Sequence, residues 1–107
     1  MRQMSTTELR DYLATGVETT MIDVREEHEL KNGMLEGAIH IPMQTVPAKV
    51  GEFDQDKAKP VVLICRSGKR SDQVGHFLEQ NGFSDVINLV GGMNAWADDI
   101  DSSMTVY

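Results

Sequence analysis

Four short runs of apolar and β-branched residues are spaced along the chain and predict β-strands. They cover residues 19–24, 37–42, 61–65 and 85–90. The third run, VVLIC, is apolar at every position, a pattern typical of a central strand that is buried on both faces of a sheet. The first run, TTMIDV, is mostly β-branched or apolar, as expected for a strand.

Amphipathic segments separate these runs and predict helices. Ser5 and Glu8 have the spacing of a capping box, so a helix is expected to start there and to end at Gly16. Residues 69–80 place Val74 and other apolar residues on one stripe and polar residues on the other, which predicts a longer helix. Shorter helical segments are expected over residues 26–31, within residues 44–50 and around residues 94–98.

The alternation of strands and helices predicts a parallel α/β sheet that is covered by helices on both faces. In such sheets the crossovers are right-handed, and ligands bind beyond the carboxyl ends of the strands. Cys65 is the last residue of the run that predicts the central strand. The sequence therefore places its cysteine where a parallel sheet has its binding crevice.

Length and composition limit the classes of protein that need to be considered. A chain of 107 residues predicts a single domain, residues 1–107, with one hydrophobic core. The net charge of −7 argues against general nucleic-acid binding. No apolar stretch reaches the roughly 18 residues of a membrane span, and the first residues lack the apolar run of a signal peptide. A single cysteine cannot form an internal disulfide, so a free thiol and a cytoplasmic location are expected.

Positive charge is concentrated directly after this cysteine. Three of the 10 basic residues, Arg66, Lys69 and Arg70, lie within residues 66–70. Gly68 permits a tight turn, and a turn that enters a helix can point several amide N–H groups at one atom. Amides and cations favour a thiolate, and such settings lower a cysteine pKa to about 3.5–7.5. The sequence thus favours a nucleophilic cysteine in an anion-binding loop over an inert core cysteine, the usual state of a lone cysteine after an apolar strand.

The segment CRSGKR, which follows the predicted central strand, resembles the active-site loop of the rhodanese family of sulfurtransferases. Residues 23–39, with Asp23, Arg25 and Glu29 at the charged positions, are similar to the family pattern D-x-R-x-x-x-E-x-x-x-G-H-I-x-G-A. Residues 86–96, VINLVGGMNAW, are similar to its closing V-x-x-L-x-G-G-x-x-x-W pattern. Met34 replaces a usual histidine, and residues 98–100 replace a usual glycine turn, but both departures lie away from the cysteine loop.

The resemblance implies a fold and a chemistry. The fold would be a rhodanese-like three-layer sandwich, with about five parallel strands and helices on both faces. Cys65 would attack the outer sulfur of thiosulfate, hold it as a persulfide and pass it to cyanide or a thiol acceptor. The loop amides would bind the outer sulfur and the cations the sulfonate, without a cofactor or a metal. The substrate-binding residues would be Arg66, Ser67, Gly68, Lys69 and Arg70.

Two other functions remain open from the sequence. Cell-cycle-type dual-specificity phosphatases and related arsenate reductases share the implied fold but use a Cys-x5-Arg loop. Here Arg70 follows Cys65 after only four residues, and the next residue is Ser71, so the shorter ring favours sulfur over phosphate. The second alternative is a module that relays persulfide sulfur to a partner protein and has little turnover with free substrates. Whatever its function, the chain is expected to act as a monomer.

Some charged and polar residues near the loop have a structural interpretation. Asp23 and Arg25 lie two positions apart at the carboxyl end of a strand. An ion pair that fixes the loop is favoured over a general acid and a substrate cation. A cation in the first helical turn opposes the helix dipole, so Arg70 indicates a nearby anion. Ser67 is equally compatible with a helix N-cap and with a contact to the sulfur.

The remaining candidates are interpreted as structural. Trp96 is expected to supply packing, and Gly91 and Gly92 a turn, beside the loop. The three histidines lack the spacing of metal ligands, so no metal site is predicted; they are His28, His40 and His76.

Overall fold

Five short strands form one parallel sheet in the computed structural model, which describes residues 1–107. The sheet order is β1-β5-β4-β2-β3, so β4 lies in the centre. The expectation of about five parallel strands is confirmed. The strands are β1 (Arg2–Met4), β2 (Thr20–Asp23), β3 (Ile39–His40), β4 (Val61–Ile64) and β5 (Val86–Leu89).

The edge strand β1 is the element that the sequence pattern did not predict. It has only three residues, two of them exposed, so it lacks the apolar alternation that marks a strand. Its position is set by pairing with β5, in a register that aligns Arg2 with Ile87 and Met4 with Leu89. Tertiary pairing, rather than local preference, therefore forms this strand.

Helices cover both faces of the sheet, which confirms the three-layer sandwich. The first face carries α1 (Thr6–Ala14) and α4 (Gly92–Asp99), and the second carries α2 (Val46–Lys49) and α3 (Lys69–Gln80). The predicted capping box starts α1, because the Glu8 amide donates to Ser5 Oγ at 3.2 Å and the Ser5 amide donates to Glu8 Oε1 at 2.9 Å.

Shorter helical turns complete the connections. The predicted segment after β2 is a 3₁₀ helix, Glu27–Asn32, that ends at Gly33. Pro47 lies in the first turn of α2, where its missing N–H removes no helical hydrogen bond. Helix α4 starts at Gly92, two residues before the predicted segment around residues 94–98. None of these helices combines the length and the hydrophobicity that a membrane span requires.

The side-chain alternation of β4 determines where the cysteine points. Val61 and Leu63 pack into the core layer beneath α2 and α3, whereas Val62 and Ile64 pack into the layer beneath α1 and α4. Burial of each such side chain contributes about 1.5–3 kcal/mol. Cys65 continues the alternation and belongs to the same layer as Val61 and Leu63. Its sulfur therefore faces the start of α3.

Candidate active site

The loop between β4 and α3 turns sharply at Gly68. This residue is the N-cap of α3 and has a φ of 98°, in the left-handed region that favours glycine. A Cβ atom built here would lie 3.2 Å from Leu89 O and 3.3 Å from Gly91 N, tighter than most such contacts. The loop therefore needs glycine at this position both for its conformation and for its close approach to the end of β5.

The sulfur of Cys65 is surrounded by hydrogen-bond donors. The Gly68 amide donates to Sγ at 3.0 Å, and Ser71 Oγ lies 3.3 Å from Sγ. Burial raises the pKa of Cys65, but the hydroxyl of Ser71 and the amides of Ser71, Gly68 and Ser67 outweigh it, so the pKa lies below its ordinary value. The loop thus stabilises a thiolate mainly with neutral dipoles.

Burial of the cysteine is deeper than the loop position suggests. Cys65 is 1% exposed and packs with the apolar side chains of its core layer. Burial alone would fit an inert core thiol, whose pKa would rise in apolar surroundings. The donors converging on Sγ distinguish this cysteine from an inert one.

Helix α4 supports the loop from the other side. The Met93 amide donates to Cys65 O at 2.8 Å, and the Asn94 amide donates to Arg66 O at 3.1 Å. Gly92 makes this contact possible, because a Cβ atom there would overlap the carbonyl groups of Cys65 and Arg66. Trp96 packs in the core layer of α1 and α4, in agreement with its predicted packing role.

The predicted anion beside Arg70 is a carboxylate of the protein itself. Both terminal nitrogens of Arg70 donate to the two oxygens of Glu29 at 2.7 Å. This bidentate pair, together with the Glu26 amide and the Tyr107 hydroxyl, lowers the pKa of Glu29 to about 2 despite its burial. The positive charge of Arg70 is therefore largely neutralised within the fold.

The predicted pair of Asp23 and Arg25 is present and fully buried. Arg25 Nη2 donates to Asp23 Oδ2 at 2.8 Å, and Arg25 Nε donates to Asp23 Oδ1 at 2.9 Å. Both side chains are 0% exposed. Arg25 also donates to Gly33 O at 2.7 Å, so the pair fixes the segment that follows β2. His40 Nε2 lies 2.7 Å from Arg25 O, which fits its predicted structural role.

Tyr107 joins the two ion pairs, and sequence reasoning missed this residue. Its hydroxyl accepts from Arg25 Nη1 at 3.1 Å and donates to Glu29 Oε1 at 2.8 Å. Arg66 lies over the Tyr107 ring at 4.8 Å and also donates to the Tyr107 carbonyl oxygen. No sequence pattern indicates these contacts, because 41 positions separate Tyr107 from Arg66.

The three cations of the loop have different surroundings. Lys69 is exposed and has no ion-pair partner, and it lines a polar groove of about 430 Å³ with Ser67 and Gly68. Arg66 lines a separate groove of about 490 Å³ beside Glu29 and Tyr107. Ser67 is not the N-cap of α3, which is Gly68. Its amide contributes to the lowered pKa of Cys65, whereas its side chain is exposed.

A chain of hydrogen-bonded polar groups leads from the sulfur toward the surface and was not predicted from the sequence. Ser71 Oγ donates to Asn88 Oδ1, and Asn88 Nδ2 donates to Gln3 Oε1 at 2.8 Å and to Gly68 O at 3.2 Å. Asn88 is 4% exposed within the buried strand β5. A polar residue within an otherwise apolar run was the available sequence signal, because buried polar groups need partners.

No group of three or more His, Cys, Asp and Glu side chains in the chain is arranged to hold a metal ion. His28 lies exposed within the 3₁₀ helix, and His76 lies exposed on α3.

The sequence is similar to those of known proteins with a rhodanese-like domain or sulfurtransferase activity in their names. A family model for the rhodanese-like domain matches residues 5–99. YtwF from Bacillus subtilis is 42% identical over 96 residues, which are 90% of each chain. The thiosulfate sulfurtransferase GlpE from Shewanella oneidensis is 32% identical over 76 residues, 71% of this chain and 73% of that one.

The fold is also similar to a solved structure. The rhodanese-like domain protein from Staphylococcus aureus is 33% identical, with a TM-score of 0.83 over 100% of this chain and 99% of that one. Sulfurtransferase relatives support sulfur transfer as the general activity. The chain therefore belongs to the rhodanese-like domain family.

Proposed function

We propose that the protein is a thiosulfate sulfurtransferase that carries sulfur as a persulfide on Cys65. The Cys65 thiolate attacks the outer sulfur of thiosulfate, and a new S–S bond forms as the thiosulfate S–S bond breaks. Sulfite leaves with the electron pair of the broken bond. Cyanide or a thiolate acceptor then attacks the outer sulfur of the persulfide, takes it up, and regenerates the Cys65 thiolate.

The observation that carries this proposal is the donor set around Sγ. Amides of Ser67, Gly68 and Ser71 and the hydroxyl of Ser71 lower the pKa of Cys65 despite its burial. The thiolate is the reactive form of cysteine, so these donors prepare it for attack without a histidine base. The same amides can bind the negative charge of the persulfide after sulfur transfer.

Lys69 is the loop cation best placed to bind the sulfonate of the donor. It is exposed on the first turn of α3 and has no ion-pair partner, whereas Arg70 is paired with Glu29. Arg66 is exposed and contacts Tyr107, so it would have to exchange that contact for the donor. Binding at Ser67 and Gly68 uses their main-chain amides. The buried pair of Asp23 and Arg25 fixes the segment that follows β2 and does not bind the substrate.

Steady-state turnover of thiosulfate and cyanide tests the proposal. The wild-type protein should form thiocyanate and sulfite, and the Cys65→Ser variant should form neither while it remains folded. The change replaces one atom, so circular dichroism and the melting temperature should stay close to wild type. Thiocyanate formation by the serine variant at the wild-type rate would overturn the proposal.

A persulfide relay to a partner protein is the second candidate. The exposed cations Arg66 and Lys69 lie on different grooves beside the loop of a chain with net charge −7. An acidic acceptor surface could contact both, which favours a protein acceptor with complementary charge. The relay function predicts uptake of one sulfur atom on Cys65 with little turnover to cyanide. For both candidate functions we propose a cytoplasmic, monomeric protein in which residues 1–107 form a single domain.

A further inference from the structure

Ser71 lies between two groups that compete for its single hydroxyl proton. Its Oγ is 3.3 Å from Cys65 Sγ and also donates to Asn88 Oδ1. A hydroxyl group has one proton and can donate to only one acceptor at a time. Ser71 is fully buried and Asn88 is 4% exposed. When the Ser71 hydroxyl turns away from one of its two acceptors, water therefore cannot replace the lost hydrogen bond.

The orientation of the Asn88 amide is fixed by its neighbours. Asn88 Nδ2 lies 3.2 Å from Gly68 O, which can only accept a hydrogen bond. It also donates to Gln3 Oε1 at 2.8 Å, and Gln3 Nε2 donates in turn to Asp72 Oδ1 at 3.0 Å. A rotation of the amide would break both contacts of Nδ2. The oxygen of Asn88 therefore remains directed at Ser71.

The protonation state of Cys65 determines which hydrogen bonds are satisfied. In the thiol, the S–H group donates to Ser71 Oγ and the Ser71 hydroxyl donates to Asn88 Oδ1, so every group has a partner. In the thiolate, the proton of Cys65 has passed to solvent and Sγ can only accept. Ser71 keeps its own proton but must turn it from Asn88 to Sγ in order to stabilise the charge.

We propose that Ser71 is a hydroxyl switch that donates to Asn88 while Cys65 is a thiol and turns to Sγ when the thiolate forms. Ser71 contacts the reacting sulfur, and Asn88 is a positioning residue that acts through Ser71. The retention of the hydroxyl by Asn88 opposes thiolate formation, while the loop amides favour it. The competition between Asn88 and Sγ sets the thiolate fraction at neutral pH. That this fraction limits sulfur uptake is the one consequence that rests on the proposed function.

Charged groups around the site change the energy of the thiolate but do not accept the Ser71 proton. Arg70 attracts the thiolate charge and is itself paired with Glu29. Each remaining charged group near the loop is paired or exposed in the structure. These groups are Asp23 and Arg25 after β2, Arg66 and Lys69 of the loop and helix start, and Asp72 of α3.

The test is a pH titration of the thiolate ultraviolet absorbance, which needs no sulfur donor. Cys65 is the only cysteine, so subtraction of the same titration of Cys65→Ser leaves its signal alone. Ser71→Ala should raise the midpoint and reduce the thiolate fraction at neutral pH roughly tenfold, as loss of a hydrogen bond to a charged group predicts. An unchanged midpoint in Ser71→Ala would overturn the proposal.

A double-mutant cycle tests the role of Asn88. Asn88→Leu removes the competing oxygen and also the hydrogen bond to Gly68 O. Its effect on the Cys65 titration midpoint is therefore measured in two backgrounds, the wild-type protein and Ser71→Ala. The proposal requires that Asn88→Leu lower the midpoint when Ser71 is present, relative to its effect in Ser71→Ala. Additive effects, or coupling of opposite sign, would overturn it. If Asn88→Leu does not fold, Asn88→Ala is used in both backgrounds.

Thr6→Val is the matched control. Thr6 is 3% exposed and its hydroxyl donates to Asp99 Oδ2 at 2.8 Å, between α1 and α4. Its loss should reduce stability without moving the Cys65 midpoint, and a midpoint shift equal to that of Ser71→Ala would contradict a specific switch. The titration can fail while sulfur uptake by Cys65 succeeds, so failure of the switch and failure of the proposed function are distinguishable.

Discussion

The two sides of the cysteine loop are built from different kinds of interaction. On the sulfur side, neutral donors converge on Cys65, including the Gly68 amide at 3.0 Å. On the other side, charged groups pair with one another, with Arg70 bound to Glu29 at 2.7 Å and Arg25 bound to Asp23 at 2.8 Å. The first region uses dipoles that remain available to a ligand, and the second has largely used its charges within the protein.

This difference separates the stabilisation of the thiolate from the stability of the fold. Backbone dipoles in a buried loop are fixed before the reaction and cost no reorganisation when the thiolate forms. Buried ion pairs contribute little net stability but are costly to break, because the remaining charge is uncompensated. Changes on the sulfur side should therefore affect chemistry, and changes in the charged region should affect folding.

A one-residue insertion in the loop should have the largest effect on chemistry. An extra glycine between Ser67 and Gly68 would move the amides so that they no longer converge on Sγ, and sulfur transfer should be lost. The same insertion after Asp56, in an exposed turn, is the control and should leave thiosulfate:cyanide turnover unchanged. The native loop should have negligible aryl phosphatase activity, and robust phosphatase activity would contradict the role given to its length.

Asp23→Ala should have the largest effect on stability. It leaves the fully buried Arg25 without its carboxylate, which predicts a loss of about 3–5 kcal/mol in the free energy of unfolding. Asp11→Ala breaks the exposed ion pair with Arg10 and should change the free energy of unfolding by no more than about 1 kcal/mol. Urea unfolding and the rate per folded molecule are the measurements. A stable Asp23→Ala variant with a severely reduced kcat would instead reveal a chemical role.

Glu29 should make stability depend on pH in the acid range. Its pKa of about 2 lies below that of the unfolded chain, so its stabilising effect is present above about pH 5 and disappears as the pH falls toward 2. The contribution is about 3 kcal/mol when fully present, since the pKa is lowered from 4.5 to about 2. Urea unfolding of wild type and Glu29→Gln should therefore differ at neutral pH and converge in acid. A difference that stays constant with pH would contradict this account of the pair.

Lys69→Ala should have the smallest effect and should act on binding alone. It removes an unpaired exposed cation, so the KM for thiosulfate should rise by the equivalent of roughly 0.5–2 kcal/mol in binding free energy, while kcat should stay unchanged. Added salt should lower wild-type kcat/KM, because the field is screened over about 8–10 Å. Initial rates at several salt concentrations measure both effects. If Lys69→Ala, Arg66→Ala and salt all leave KM unchanged, the cations do not bind the donor.

Local patterns predicted most of the fold because they report local physics. The apolar run of β4, the capping box of α1 and the amphipathic stripe of α3 were all sufficient to identify their elements. Edge strand β1 was not predictable in this way, since it depends on pairing with β5, more than 80 positions away.

Within the site, the cysteine loop could be predicted from the sequence, but the partners of its charged side chains could not. The position of Gly68 indicated a turn whose amides face the sulfur, and the structure contains that turn. The cluster of cations did not reveal that Glu29 binds Arg70 or that Tyr107 binds Arg66. These partners are 41 positions away in each case, and such pairings arise only from the tertiary fold.

The intact mass of the protein after incubation with thiosulfate tests the central claim most directly. The account predicts that wild type gains the mass of one sulfur atom, that cyanide removes it, and that Cys65→Ser gains nothing. Because Cys65 is the only cysteine, no other thiol can account for such an adduct. Cyanide-labile sulfur on the folded serine variant, or no adduct on the wild-type protein, would contradict the assignment of Cys65 as the sulfur-carrying nucleophile.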